Sequence, residues 1–193
     1  MARLSDIALI AQVVTLGSER AFAQLVQAHQ EAVRRFLLSL TEGDGMRADD
    51  LAQETFIRAW QGLRSFHQLS GFETWLLRIA YNAFLDDERK EKSRPRGEES
   101  VSLSDGNSIL NHNRTAFIES QSLTSDFSMR HDLDLALSTL SEAERTCVVL
   151  QCMEGQSIHE IAKITGMLEN TVKSHLLRGK KNLAVYLRKN GYS

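Results

Sequence analysis

Three observations predict an all-α protein of two small helical domains joined by a flexible linker, the second a helix-turn-helix. The 193 residues include one proline, Pro95, so long stretches on either side lack the residue that most strongly breaks helices. Apolar residues recur at helical spacing through both ends of the chain. Ser141 with Glu144 and Ser157 with Glu160 have the spacing of capping boxes, which start helices.

Leu4, Ile7, Ile10, Ala11 and Val14 predict a first helix over 4–16, with Ser5 placed to cap it. After Gly17 and Ser18, a stripe of Phe22, Leu25, Val26, Val33, Phe36, Leu37 and Leu40 predicts a longer second helix. A turn at 42–45 follows, and Asp49 is placed to cap a third helix with Leu51, Phe56, Ala59, Trp60 and Leu63 inward and Asp50, Gln53 and Glu54 outward. A loop over 64–71 leads to a fourth helix with Trp75, Leu76, Ile79, Ala80 and Ala83 inward, ending in the charged run DDERKEK.

From about 93 to 130 the periodicity fades into Ser, Asn, Gly and charged residues, with Ile109, Leu110, Phe117 and Ile118 as apolar exceptions. So long a stretch is better placed between domains than inside one, giving domains at 1–92 and 131–193 and a linker over 93–130. Leu133, Leu135, Leu137 and Leu140 then open a unit of four short helices.

Apolar residues at 42% and charged residues at 25% describe a chain that folds. A net charge of −2 means that any nucleic-acid binding must come from local asymmetry. Cys147 and Cys152 are too few for a disulfide scaffold or a four-ligand metal site, and their apolar neighbours suggest core packing. No apolar run approaches the ~20 residues of a membrane span, and the start MARLSDIALIAQ carries no signal-peptide cleavage pattern, so a cytoplasmic protein without membrane insertion is expected. His159-Glu160 begins like a zinc-protease HExxH, but Lys163 stands where the second histidine is needed. There is no glycine-rich phosphate loop and no GxSxG elbow, so no catalytic set, metal, cofactor or small-molecule substrate is expected.

A helix-turn-helix needs a small residue where its helices cross, a residue tolerating positive φ at the turn, and an apolar anchor on the second helix. Ala162, Gly166 and Val172 fill those positions, and Ile158, Ile161, Ile164 and Leu176 supply the packing between them. The second helix presents Thr171, Lys173, Ser174, His175, Arg178 and Lys181. From Glu169 to the end, six basic residues (Lys173, Arg178, Lys180, Lys181, Arg188, Lys189) oppose Glu169 alone, a local +5.

The stretch EIAKITGMLENTVKSHLLRGKKNL resembles region four of extracytoplasmic-function (ECF) sigma factors, and DDLAQETFIRAWQGLRSF with FETWLLRIAYNAFLDDERK resembles their region two. The resemblance covers about 8–92 and 132–187. It implies a factor that directs RNA polymerase to specific promoters and assists their opening. On this resemblance Asp49, Asp50, Gln53 and Glu54 meet the clamp helices of the polymerase's largest subunit. Phe66 and Asn82 line a pocket for an unstacked base of the −10 motif, with Arg78, Arg89, Lys90 and Lys92 on phosphates. The second helix of the helix-turn-helix reads the −35 motif, and an anti-sigma factor is a further implied partner. Leu168 and His175 depart from a frequent proline and arginine, so base preference does not transfer. The alternatives are a dimeric regulator using the same helix-turn-helix on an operator, and a nucleic-acid-processing enzyme, for which no catalytic set is present.

Overall fold

The computed structural model describes residues 2–66, 71–93 and 132–192, with side chains from Ser5 onward. In chain order the helices are α1 (Ala2–Leu16), α2 (Glu19–Leu40), α3 (Gly45–Gly62), α4 (Phe72–Ser93), α5 (132–138), α6 (Glu142–Cys152), α7 (Ile158–Thr165) and α8 (Glu169–Lys189), with a single 3-10 turn, Leu63–Ser65, after α3. No strand occurs among the described residues. The expected linker, apart from Ser93, lies outside them, as do its four apolar exceptions.

Local chemistry sets most boundaries. Ser18 caps α2 by accepting from the Ala21 amide at 3.2 Å. Both capping boxes form, Ser141 with Glu144 on α6 and Ser157 with Glu160 on α7. Two caps differ from the sequence expectation. Asp44, not Asp49, accepts from the Arg47 amide at 3.1 Å and starts α3 a turn earlier, which leaves Asp49 inside the helix and paired with Arg34 at 2.6 Å. Ser5 lies within α1, not ahead of it.

The phase of α1 is also shifted. Ile10 and Val13 are buried with Asp6, while Ile7 and Val14 face out. The physical reason is a buried partner: the Asp6 carboxylate meets His29 Nε2 of α2 at 3.3 Å, drawing a charged position onto the inner face.

Leu25, Val33, Phe36, Leu37, Leu63, Leu76 and Leu77 form the centre of the first four helices, and Val149, Leu150, Ile161, Ile164 and Val172 the centre of the last four; all are essentially inaccessible. Each such side chain contributes about 1.5–3 kcal/mol of transfer free energy. The two sets belong to one continuous apolar cluster, because α6 packs on α2 and α7 on α4. Trp60, expected inside, is 39% exposed and rests edge-on against Phe22 at 4.9 Å. The cysteines divide: Cys152 is exposed, whereas burial pushes the Cys147 thiol up to about 11.

Candidate functional site

Three surfaces carry the candidate residues. The first is built by α7 and α8. Gly166 takes φ 75°, the left-handed conformation that ends α7 and turns the chain towards α8. Val172 is fully buried, Ala162 is half-buried, and His159 Nδ1 meets Glu169 Oε1 at 2.9 Å across the two helices. Gly179 sets how closely α8 approaches α6: a Cβ there would lie 2.8 Å from Val148 Cγ2 and 3.4 Å from the Glu144 backbone oxygen. Sequence reasoning passed over this glycine because nothing in the local pattern shows which helix lies opposite it.

On the outer face of α8, Thr171, Lys173, Ser174, Arg178 and Lys181 are exposed and His175 is half-buried. The Ser174 hydroxyl donates to the Asn170 carbonyl at 2.9 Å. No ion pair engages Lys173 or Lys181 among the described residues. Arg178 is different: its Nε donates to Glu144 Oε1 at 3.2 Å, and Nη2 lies 3.1 Å from His175 Nδ1. It both fixes the recognition helix to α6 and keeps a guanidinium near the surface.

The second surface is the outer face of α4. Arg78, Asn82, Arg89 and Lys90 are all exposed, and spacings of four and seven put Arg78, Asn82 and Arg89 on one side. Arg89 Nη1 donates to Asp86 at 3.1 Å, an exposed pair that a phosphate can displace at little cost. Phe66 is half-buried in an aromatic cluster, 5.8 Å from Phe72 and 5.3 Å from Trp75 between ring centroids. Trp75, read as core, is half-buried in that cluster. It stands seven residues before Asn82, about 10 Å along the helix. Most of the loop between Phe66 and Gly71 lies outside the described residues.

The third surface is α3. Asp49, Asp50 and Gln53 are exposed, and Glu54 is half-exposed and paired with Arg58 at 2.7 Å. Met46, Asp50, Gln53, Ile57 and Trp60 share one face, which makes the surface a mixed apolar and acidic stripe rather than an acidic patch. Met46 and Ile57 were missed by sequence reasoning; their exposure, 52% for Ile57, is what singles them out.

Behind these faces runs a lattice of ion pairs between α3 and α4. Arg47 reaches Asp87 at 2.7 Å and Glu88 at 2.6 Å, and Arg58 reaches Asp86 at 2.8 Å. Hydrogen bonds from Arg58 and Arg47 hold the Asp86 and Glu88 carboxyls below their ordinary range. No group of three or more His, Cys, Asp and Glu side chains able to hold a metal ion occurs among the described residues. Among them, no helix is long and apolar enough to cross a membrane.

The sequence matches two family models, sigma-70 region 2 over residues 25–94 and sigma-70 region 4 over residues 130–183. It is 33% identical over 180 residues to the ECF RNA polymerase sigma factor SigM of Mycobacterium tuberculosis, covering 93% of this chain and 83% of that protein. SigW of Bacillus subtilis is 28% identical over 91% of this chain and 93% of its own length. SigE of Mycolicibacterium smegmatis is 33% identical, and the match spans 86% of this chain but 61% of that longer protein. Among solved structures, the sigma factor RpoE of Bartonella quintana, in complex with the anti-sigma factor NepR, has a TM-score of 0.64 at 29% identity over 86% of this chain and 96% of its own. CnrH, in complex with the cytosolic domain of CnrY, shares the fold with a TM-score of 0.67 at 24% identity, covering 97% of this chain and 99% of its own.

Proposed function

The chain belongs to the ECF sigma factors of bacterial RNA polymerase, which direct the enzyme to specific promoters, and from that premise we propose how its three surfaces divide the work. Residues 1–92 form the unit that binds polymerase and the −10 motif, residues 131–193 the unit that binds the −35 motif, and 93–130 the connection. The α3 stripe docks on the clamp helices of the largest polymerase subunit, Asp49, Asp50, Gln53 and Glu54 giving polar contacts around Ile57 and Trp60. On α4, Arg78, Arg89 and Lys90 hold phosphates while Asn82 and the Phe66 cluster receive a base of the opened strand. On α8, Thr171, Lys173, Ser174, His175, Arg178 and Lys181 face the duplex at −35.

The observation that carries this reading is the outer face of α8: basic, with Lys173 and Lys181 in no ion pair among the described residues, and presented by a helix pair with the turn geometry of a helix-turn-helix. The protein works in the cytoplasm, where polymerase and promoter are, and performs no covalent chemistry itself. An anti-sigma protein is the expected regulator; the similar RpoE was solved with one.

Reconstitution with purified core polymerase and a promoter library tests the reading, with defined transcription starts expected. Asp50→Lys with Glu54→Lys should abolish polymerase binding with helicity unchanged by circular dichroism. Unchanged polymerase affinity would remove the α3 stripe from the mechanism.

A further inference from the structure

Arg178 is gripped on two sides by the protein itself. Its Nε donates to Glu144 Oε1 of α6 at 3.2 Å, and its Nη2 lies 3.1 Å from His175 Nδ1, one turn nearer the start of α8. A guanidinium only donates, so His175 Nδ1 accepts and the ring proton sits on Nε2. The Glu144 side chain is 12% exposed and that of Arg178 58%, so the carboxylate lies beneath α8 while the guanidinium stays open to a partner. Gly179 permits this approach, because a Cβ there would already stand 3.4 Å from both Cβ and the backbone oxygen of Glu144. The other carboxylate oxygen, Oε2, accepts from the Ser141 amide at 3.4 Å, which closes the α6 capping box and orients the Glu144 side chain.

This arrangement suits a group that reads bases better than one that neutralises phosphates. Of the five N–H donors of a guanidinium, one goes to Glu144 and one to His175, leaving three on a plane whose direction is already set. Two such donors match the O6 and N7 acceptors of guanine, a contact that depends on direction. The contact with His175 also draws the guanidinium back along α8 towards its N-terminal end, the end that meets base edges in a helix-turn-helix. A phosphate needs charge more than direction, and the Glu144 carboxylate offsets that of Arg178. Lys173 and Lys181, exposed and in no ion pair among the described residues, keep theirs in full.

We propose that Glu144 of α6 is a positioning residue for −35 recognition: with His175 it aims Arg178 at a base, so that Arg178 carries sequence discrimination while Lys173 and Lys181 carry affinity without it. The inference rests on the reading of α8 as the helix that faces the −35 duplex. Glu144 acts through Arg178 and not by touching DNA. A negative charge beneath the reading helix weakens attachment to every duplex alike, whereas a preset guanidinium favours only the base it faces, so the same carboxylate lowers affinity and raises specificity.

The test uses the full chain bound to core polymerase, on a promoter recovered by mapping starts in the reconstituted reaction and on the same duplex with its −35 motif scrambled. Glu144→Gln keeps a side chain that serves a capping box, but with its oxygen on the Ser141 amide it turns an N–H donor towards Arg178. Preference for the promoter over the scrambled duplex should fall about tenfold, while affinity for the scrambled duplex holds or rises. Arg178→Ala should lose as much preference, and adding Glu144→Gln to it should change the preference by less than about twofold. His175→Leu should lose part of the preference, and His175→Asn, whose Oδ1 can accept from Arg178, should regain it; this pair decides should Glu144→Gln lose helicity. Unchanged preference in Glu144→Gln, a further loss of equal size in the Arg178→Ala background, or no rescue by His175→Asn would each overturn the proposal. A parent that shows no preference for its promoter would instead refute α8 as the −35 reader.

Discussion

The paired charges of α3 and α4 are mostly half-buried and the basic residues of α8 exposed, and the two sets are differently committed. Along α3 and α4, arginines and carboxylates answer one another: Arg47 with Asp87 and Glu88, Arg58 with Glu54 and Asp86, Arg89 with Asp86, Lys92 with Glu88. Along α8, Lys173 and Lys181 are left without such partners among the described residues, whereas Arg178 is tethered to Glu144. The difference teaches where charge serves structure and where it is held for a partner. A region whose charges are mutually satisfied loses stability when they are removed; a region whose charges are unanswered loses binding.

The largest effect expected is steric and falls on the scaffold that aims α8. Gly179→Val would force a Cβ to within 2.8 Å of Val148 Cγ2, and its branches further into α6. Overpacking of this kind costs about 1–3 kcal/mol, and thermal unfolding should show it as a lowered midpoint, with −35 binding lost. A variant as stable as the parent and still binding would mean that α8 is not held by its approach to α6. Next comes Lys173→Ala with Lys181→Ala, for which duplex binding should weaken at least tenfold at moderate salt. The slope of log affinity against log salt should fall by about two, while the unfolding midpoint stays put. A drop in stability instead would erase the contrast with α3 and α4.

Smaller still is Arg47→Met, which keeps an unbranched apolar stem and removes the guanidinium from Asp87, Glu88 and the face of Phe84. These partly exposed pairs are worth about 1 kcal/mol together. Because the Arg47 hydrogen bond holds the Glu88 carboxyl below the ordinary carboxylate range, its stabilisation is present above about pH 4.5 and lost as pH falls through its folded value. The gap between Arg47→Met and the parent should therefore close on acidification, which chemical denaturation at several pH values would show. A gap constant with pH would mean that Arg47 acts through packing alone.

Helix existence, both capping boxes and the helix-turn-helix were legible because each depends on residues a few positions apart: Ser157 with Glu160, or Ala162, Gly166 and Val172. The phase of α1 was not, because Asp6 turns inward only for His29, which lies on another helix. Nor was the pairing of the first four helices with the last four through Arg35 and Glu154, which are 119 residues apart and each read alone as an ordinary surface charge. The candidate site divides in the same way. Exposure of Lys173, Ser174, Arg78 and Asn82 follows from helical period, whereas the Arg178–Glu144 tether and the position of Phe66 among Phe72 and Trp75 depend on tertiary packing.

Glu73 supplies the smallest test and the one that sets burial against the ion-pair lattice. It lies half-buried in the first turn of α4, beside Thr74, whose hydroxyl donates to Gln156 Oε1 at 2.9 Å between the two halves. Burial holds its carboxyl above the ordinary range; His29 and Arg35 offset part of this, while Glu154 and Asp6 add to it. Its sign is therefore opposite to that of Glu88. An acid whose folded value is raised is most compatible with folding below its ordinary pKa of about 4.3, and folding loses that advantage as pH rises through the folded value. Glu73→Gln should then raise the unfolding midpoint at pH 7 and lose the gain near pH 4. The favourable position of a negative charge at a helix N-terminus opposes this, which keeps the effect below about 1 kcal/mol. A midpoint that falls at pH 7, or a gain that persists unchanged in acid, would show that the helix end and not burial governs this carboxylate.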